Sequence, residues 1–207
     1  MKPTTPEEYF QKTEHAVRYF YDGLASCWSY YQQALKHWDI SKINQPLTPN
    51  NKTVLETYLK LAGKYFDLKF SEATFAGSIL QVAYMGIRYF SRNKTIPDSC
   101  KNIVSENNKS AVPFCVGKEI YGLPCGLIIY AARNQYNHWD DENPRIITQK
   151  VFDVLYQAFS ENMLYGLAFD IGNPSITIYA NEVLLGVLQW HTYDHYLSEM
   201  RDLLQTT

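Results

Sequence analysis

The 207-residue sequence lacks the long apolar run of a membrane protein and the leader of a secreted one. No stretch reaches the roughly 18 uninterrupted apolar residues that a membrane-spanning helix needs. The first residues, MKPTTPEEYF, carry acids where a signal peptide has positive charge followed by an apolar segment. No internal repeat is visible either, which excludes solenoid folds. The sequence therefore predicts a soluble, cytoplasmic protein with no membrane partner.

Cysteine is also scarce, and its spacing excludes the usual metal and redox motifs. The chain has four cysteines and no C-x-x-C pair. Neither a zinc knuckle nor a redox dithiol is indicated. We expect free thiols in a reducing compartment, with no cofactor and no resident metal.

The low net charge of −2 argues against indiscriminate binding of nucleic acid by the whole surface. The charge is unevenly distributed, however, because residues 139–207 hold ten acids and three bases. Bases outnumber acids between positions 88 and 118, where the sequence has Arg88, Arg92, Lys94, Lys101, Lys109 and Lys118. This segment is either a local basic patch or a solvated loop whose lysines need no partner.

Apolar residues recur at three- and four-residue steps along most of the chain, which predicts an all-α bundle of about five to seven helices in a single domain, residues 1–207. We divide it into an N-terminal helix (5–38), a core (50–170) and a C-terminal helical extension (175–207). Within these parts the predicted helices are 51–67, 72–91, 125–138, 144–170 and 192–204, with a loop at 92–114. The β-branched residues near 175–180 predict a short strand or an irregular turn instead.

In the predicted helix 51–67, one apolar stripe is predicted to be buried. Its members are Leu55, Tyr58, Leu59, Ala62 and Phe66.

The polar segment 133–138 (RNQYNH) is the strongest candidate for a functional site. It follows directly on the apolar run 127–132. Enclosing six polar groups without partners would be costly, so we expect this segment to face a groove, a second subunit or a ligand.

Arg133, followed by Asn134 and then by His138, resembles the R-x4-6-H motif of the HEPN superfamily, in which Asn after the Arg is the commonest variant. The surrounding run GLIIYAARNQYNHWDD is similar to bacterial members of that group, and the resemblance covers roughly residues 50–170. It implies a helical bundle that cleaves single-stranded RNA without a metal ion, in a toxin–antitoxin or phage-defence role. It also implies a homodimer.

The residue types suit that chemistry. Histidine exchanges protons near neutral pH, so His138 is the candidate acid and base. Arg133 is always charged and can bind two phosphate oxygens at once, and Asn134 could orient the phosphate or the imidazole. Four further residues are candidates for binding RNA: Asn137, Tyr136, Lys118 and Arg92.

Residues five apart on an ideal helix lie about 140° apart around the axis and roughly 7.5 Å along it, so Arg133 and His138 would not share a face. Either the helix unwinds before His138, or a second copy completes the site across a twofold axis. The family's toxins that are silenced by nucleotidylation carry Tyr two positions after the motif His. This chain has Asp140 there, so such regulation is not predicted.

Three alternatives stay open. Arg133 could be structural and His138 a helix cap near Asp140 and Asp141, or the domain could be a non-catalytic module that binds a nucleotide or a protein. Placement of Arg133 and His138 in an exposed groove beside Lys118 or Arg92 would favour the enzyme, whereas burial of His138 against Asp141 would favour the module. The pair His191 and His195, with Asp194 and Glu199 nearby, could instead bind a metal ion.

Overall fold

The computed structural model describes residues 2–38, 48–105, 107–141, 145–160, 169–172 and 178–205. In these ranges it has six α-helices, which we number in chain order: α1 (Pro6–Lys36), α2 (Pro49–Asp67), α3 (Lys69–Phe90), α4 (Cys125–Asn137), α5 (Ile146–Ser160) and α6 (Tyr193–Gln205). Two single 3₁₀ turns (Asp98–Cys100 and Val112–Phe114) and a π-helical segment (Glu182–Val187) complete the helical part. The predicted all-α fold is confirmed.

Two of the helices begin at Thr-Pro pairs. The Thr5 hydroxyl accepts a hydrogen bond from the Glu8 amide at 3.2 Å, and Thr48 caps α2 in the same way at 3.3 Å. A proline follows each cap at the first helical position, where the missing N–H is not needed. The first of these starts was predicted, whereas the second helix begins two residues earlier than expected.

A short β-hairpin with two residues in each strand precedes α4, and it was not predicted. β1 (Glu119–Ile120) pairs antiparallel with β2 (Leu123–Pro124). Tyr121 and Gly122 between them have φ of 53° and 76°, as a tight hairpin turn requires. The Lys118 carbonyl then accepts from the Cys125 amide at 2.9 Å, which fixes the start of α4 beside the hairpin.

The antiparallel helices α3 and α4 form the centre of the core. Their facing residues are fully buried, among them Ile79, Leu80, Ala83, Leu127 and Ile128. Gly77 permits a close approach of Tyr136, because a Cβ atom there would lie 2.5 Å from a carbon of its ring. Any larger residue at position 77 would displace the Tyr136 ring, which belongs to the polar segment 133–138.

The predicted buried stripe of α2 was wrong. The helix packs on α1 through a neighbouring stripe that contains Tyr58 and Tyr65, whose rings lie 4.6 Å from Trp38 and 5.0 Å from Tyr31. Three large side chains of the predicted stripe are more than a third exposed: Leu55, Leu59 and Phe66. Tyr58 belongs to both stripes, so the α2 sequence did not decide between them.

The C-terminal part of the chain contains two of the predicted helices. The fifth predicted helix (144–170) is observed as α5 from Ile146 to Ser160, while residues 142–144, 161–168 and 173–177, with most of the predicted strand, lie outside the described residues. The terminal helix agrees to within one residue at each end. No helix in the described part of the chain is long and apolar enough to cross a membrane.

All four cysteines are buried free thiols: Cys27, Cys100, Cys115 and Cys125. Burial raises the pKa of Cys115 to about 12 and that of Cys125 to about 11. These two thiols are therefore protonated at neutral pH and are poor nucleophiles.

Candidate functional site

Arg133 lies in the second half of α4, and three contacts fix its guanidinium group. Its Nε donates to Gln81 Oε1 at 2.7 Å, and its Nη1 donates to Asn134 Oδ1 at 3.1 Å. The group also lies over the Tyr84 ring, 4.6 Å from the centroid, a cation–π contact. Among the described residues, Nη2 has no hydrogen-bond acceptor. The planar group is thus oriented by α3 and keeps one nitrogen with free donors.

Asn134 is almost completely buried, with 3% of its surface exposed. Its oxygen accepts from Arg133, which fixes the orientation of the amide, but its Nδ2 finds no partner in the described part of the chain. A buried amide nitrogen without an acceptor is uncommon and calls for a water molecule or a ligand.

Gln81, on α3, joins two of the candidate residues. Its Oε1 accepts from both Arg133 Nε and Asn137 Nδ2, the latter at 3.3 Å. Arg133 and Asn137 are four residues apart and so lie on the same face of α4, towards α3. Gln81 and Tyr84 were not predicted from the sequence. The only available signal was a single polar residue, Gln81, within the apolar run 79–83 of α3.

His138 lies just beyond the end of α4. The helix ends at Asn137, and His138 has a non-helical backbone conformation, with φ −134° and ψ 34°. Its Nδ1 lies 3.1 Å from Asp141 Oδ2, and the two side chains are 37% and 52% exposed. The helix thus stops before His138, so the 140° separation of an ideal helix does not apply. No hydrogen bond or ion pair between described residues joins His138 to Arg133.

The intervening residues serve packing. Tyr136 lies against Gly77, as described above, and is partly buried. Gln135 points into the core, where its Oε1 accepts from the Tyr179 amide at 3.0 Å. The segment 133–138 is therefore not uniformly exposed. Some of its side chains pack against α3, others point into the core, and others face solvent.

Lys118 and Arg92 are placed away from His138. Lys118 forms an ion pair with Glu199 at 2.7 Å and lies beside the start of α4. His138 follows the other end of that helix, roughly 20 Å away at 1.5 Å per residue. Arg92 is exposed just after α3. The structure thus brings together Arg133, Asn134 and Asn137, but not these two.

The alternative metal site gains no third ligand. His191 and His195 have ring centroids 6.4 Å apart, and they line different clefts. Within the described ranges, no group of three or more His, Cys, Asp or Glu side chains is arranged to hold a metal ion.

No protein-family model, curated protein or solved structure matches this chain. The resemblance of segment 133–138 to the HEPN motif therefore depends on its own residues alone.

Proposed function

We propose that this chain is a HEPN-type endoribonuclease that cleaves single-stranded RNA without a metal ion. The observation that carries the proposal is a fixed Arg133 guanidinium with free donors, followed at the end of the same helix by a partly exposed His138 paired with Asp141. Cleavage of a phosphodiester needs a cation that binds the phosphate and a group that transfers protons. Arg133 supplies the cation, and His138 transfers the protons.

Asp141 prepares His138 for proton transfer. A carboxylate beside Nδ1 favours the tautomer that carries its proton there, which leaves Nε2 as the free acceptor. Nε2 removes the proton from a ribose 2′-hydroxyl. The aspartate also stabilises the imidazolium that forms.

Arg133 stabilises the charge that develops on the phosphate. The O2′ atom forms a bond to phosphorus, the bond from phosphorus to O5′ breaks, and O5′ takes up a proton. The products are a 2′,3′-cyclic phosphate and a free 5′-hydroxyl. The Nη2 donors of Arg133 bind a phosphate oxygen throughout this step, and Asn134 holds the guanidinium in place through its Oδ1.

We further propose a homodimer in which two copies of the motif form one groove. The reaction needs one group that accepts a proton and another that donates one, and a twofold axis supplies two imidazoles. The biological role is that of a cytoplasmic toxin or phage-defence nuclease, and an antitoxin protein or a nucleotide is the expected regulator.

A second candidate is a non-catalytic module that binds a nucleotide or a protein. It is favoured by the use of two guanidinium nitrogens of Arg133 inside the protomer, on Gln81 and Asn134. Such a module would bind a phosphate through Nη2 alone and would not cleave it.

The purified protein is expected to degrade a fluorescent single-stranded RNA in the presence of EDTA, leaving 2′,3′-cyclic phosphate ends that mass spectrometry identifies. The same sequence with 2′-O-methyl riboses should stay intact, because it lacks the attacking hydroxyl. Intact unmodified RNA after incubation with a well-folded protein would reject the nuclease and favour the module. Cleavage that stops in EDTA would reject the metal-independent mechanism.

Gln81 is a positioning residue, and its replacement should slow cleavage. In Gln81→Leu the guanidinium loses its acceptor on α3, and a displacement of about 1 Å is enough to slow a reaction roughly 100-fold. Gln81→Glu keeps the acceptor oxygen and should restore most of the rate, which a merely structural defect would not predict. Ser78→Ala, one turn earlier on α3, is the matched control, because its hydroxyl donates to the Thr74 carbonyl of the same helix. Equal rates for Gln81→Leu and wild type would exclude this role.

A further inference from the structure

The loop between α3 and β1 encloses a cleft of about 760 Å³ whose charged lining is basic. Three lysines line it: Lys94, Lys101 and Lys109. No carboxylate is among its described lining residues. Lys101 forms an exposed ion pair with Asp98 at 2.6 Å, whereas Lys94 and Lys109 have no acidic partner in the described part of the chain. The cleft therefore attracts anions.

The side chain of Asn93 holds the loop in shape. Its Nδ2 donates to the carbonyls of Thr95 and Val112, at 2.9 and 2.7 Å, and its Oδ1 accepts from the Thr95 amide at 3.4 Å. These bonds tie the two ends of the loop together. The three lysines thus belong to a loop whose backbone is held by hydrogen bonds. Less conformational entropy of the loop is therefore lost when the lysines bind a ligand.

A partly exposed stripe along α3 connects the cleft to Arg133. Gln81, Tyr84 and Arg88 lie three and four residues apart, so they share one face of the helix. Gln81 and Tyr84 contact Arg133, and Arg88 Nη1 donates to the Ser110 carbonyl, next to Lys109. The distance from Gln81 to Arg88 is roughly 10 Å along the helix. This spacing allows one extended strand to touch both Arg133 and the cleft.

We propose that this cleft binds the phosphate backbone of the RNA strand that Arg133 and His138 cleave. The identity of the ligand rests on the proposed function. The lysines contact successive phosphates, while Ile96, Val112 and Pro113 provide an apolar wall for ribose and bases. Lysines contact phosphates whatever the base sequence is. The cleft therefore increases the affinity for RNA and positions the strand, but it confers no preference for particular bases.

The test measures binding apart from cleavage. A fluorescent 2′-O-methyl oligouridine of about 20 nucleotides, longer than the 4–16 that one single-strand groove typically covers, binds but cannot be cut. The triple variant Lys94→Gln/Lys101→Gln/Lys109→Gln is expected to bind it roughly tenfold more weakly. It should also reduce the steepness of log affinity against log salt concentration by about 2. Each lost phosphate contact contributes about 0.7 to that slope, and three contacts are lost. Fluorescence anisotropy at several salt concentrations measures both quantities.

The matched control removes the same charge elsewhere. Lys52→Gln/Lys60→Gln/Lys64→Gln neutralises three exposed lysines of α2 and should leave binding unchanged. Equal loss in both variants, unchanged binding in the cleft variant, or no binding by wild type would each overturn the inference. Loss confined to the cleft variant supports it. If the wild type binds this probe but leaves unmodified RNA intact, the nuclease proposal fails and the cleft remains a site for single-stranded RNA.

Discussion

Replacing His138 by alanine is expected to slow RNA cleavage by roughly 10²–10⁴-fold, the usual contribution of a positioned acid or base. The side chain is partly exposed at a helix end, and its described polar contact is with Asp141, so its removal should leave the fold intact. Arg133→Ala should have an effect of similar size, because the charge on the phosphate then loses its stabilising cation. Single-turnover rates measure both effects without contributions from product release.

Two controls separate chemistry from folding in this prediction. His15→Ala removes an exposed histidine of α1 far along the sequence from the motif and should retain the wild-type rate. Arg133→Lys keeps the positive charge, but an ammonium group lacks the planar set of donors that contacts both Gln81 and Asn134. This variant should therefore be little more active than Arg133→Ala. If the double variant His138→Ala/Arg133→Ala is no slower than either single one, the two residues act as a unit. Wild-type rates in folded His138→Ala would remove this residue from the mechanism.

The α-helical fold could be predicted from the sequence because its main signals are local. Helical periodicity and the Thr5-Pro6 start depend on residues within a turn or two of each other, and they placed α1, α3 and α4 to within a few residues. The hairpin 119–124 was missed because its strands have two residues each, too few for an alternating pattern. The π-helical segment was missed as well, since no local pattern marks an inserted residue.

The candidate site was predictable only in part, because its contacts join distant segments. The pattern of segment 133–138 indicated Arg133, Asn134 and His138, but not the partner on α3. Gln81 is 52 residues from Arg133 in sequence, and the two meet only because α3 and α4 pack antiparallel. The loop lysines could be counted from the sequence, whereas their arrangement around one cleft depends on the bonds of Asn93.

The same limitation explains the error on α2. A helix with apolar residues on more than one side offers two faces to its neighbours, and hydrophobicity alone does not rank them. α1 covers the face with Tyr65, and Phe66 on the adjacent face is 69% exposed. Which face is buried depends on aromatic contacts with α1, and these follow from the tertiary packing.

A pair of identical substitutions tests this assignment of faces and has the largest expected effect on stability. Phe152→Ala, on α5, should lower the free energy of unfolding by about 3–5 kcal/mol, since the side chain is fully buried and its loss leaves a cavity. Its ring lies 5.4 Å from Tyr179, whose amide binds Gln135 of α4, so the cavity would loosen the helix that carries the site. Phe66→Ala should change the free energy of unfolding by less than about 0.5 kcal/mol, as expected of an exposed position.

Urea denaturation followed by circular dichroism measures both variants on one scale. Phe66→Ala removes the same atoms as Phe152→Ala, so the intrinsic chemistry of the substitution cancels in the comparison, and the remaining difference reports burial. A loss above about 2 kcal/mol in Phe66→Ala, within the range for buried large side chains, would show that this face of α2 is covered after all. A second copy of the chain could provide such a cover, in which case the loss would depend on protein concentration, because dimer stability does. A small loss in both variants would contradict the placement of Phe152 in the core.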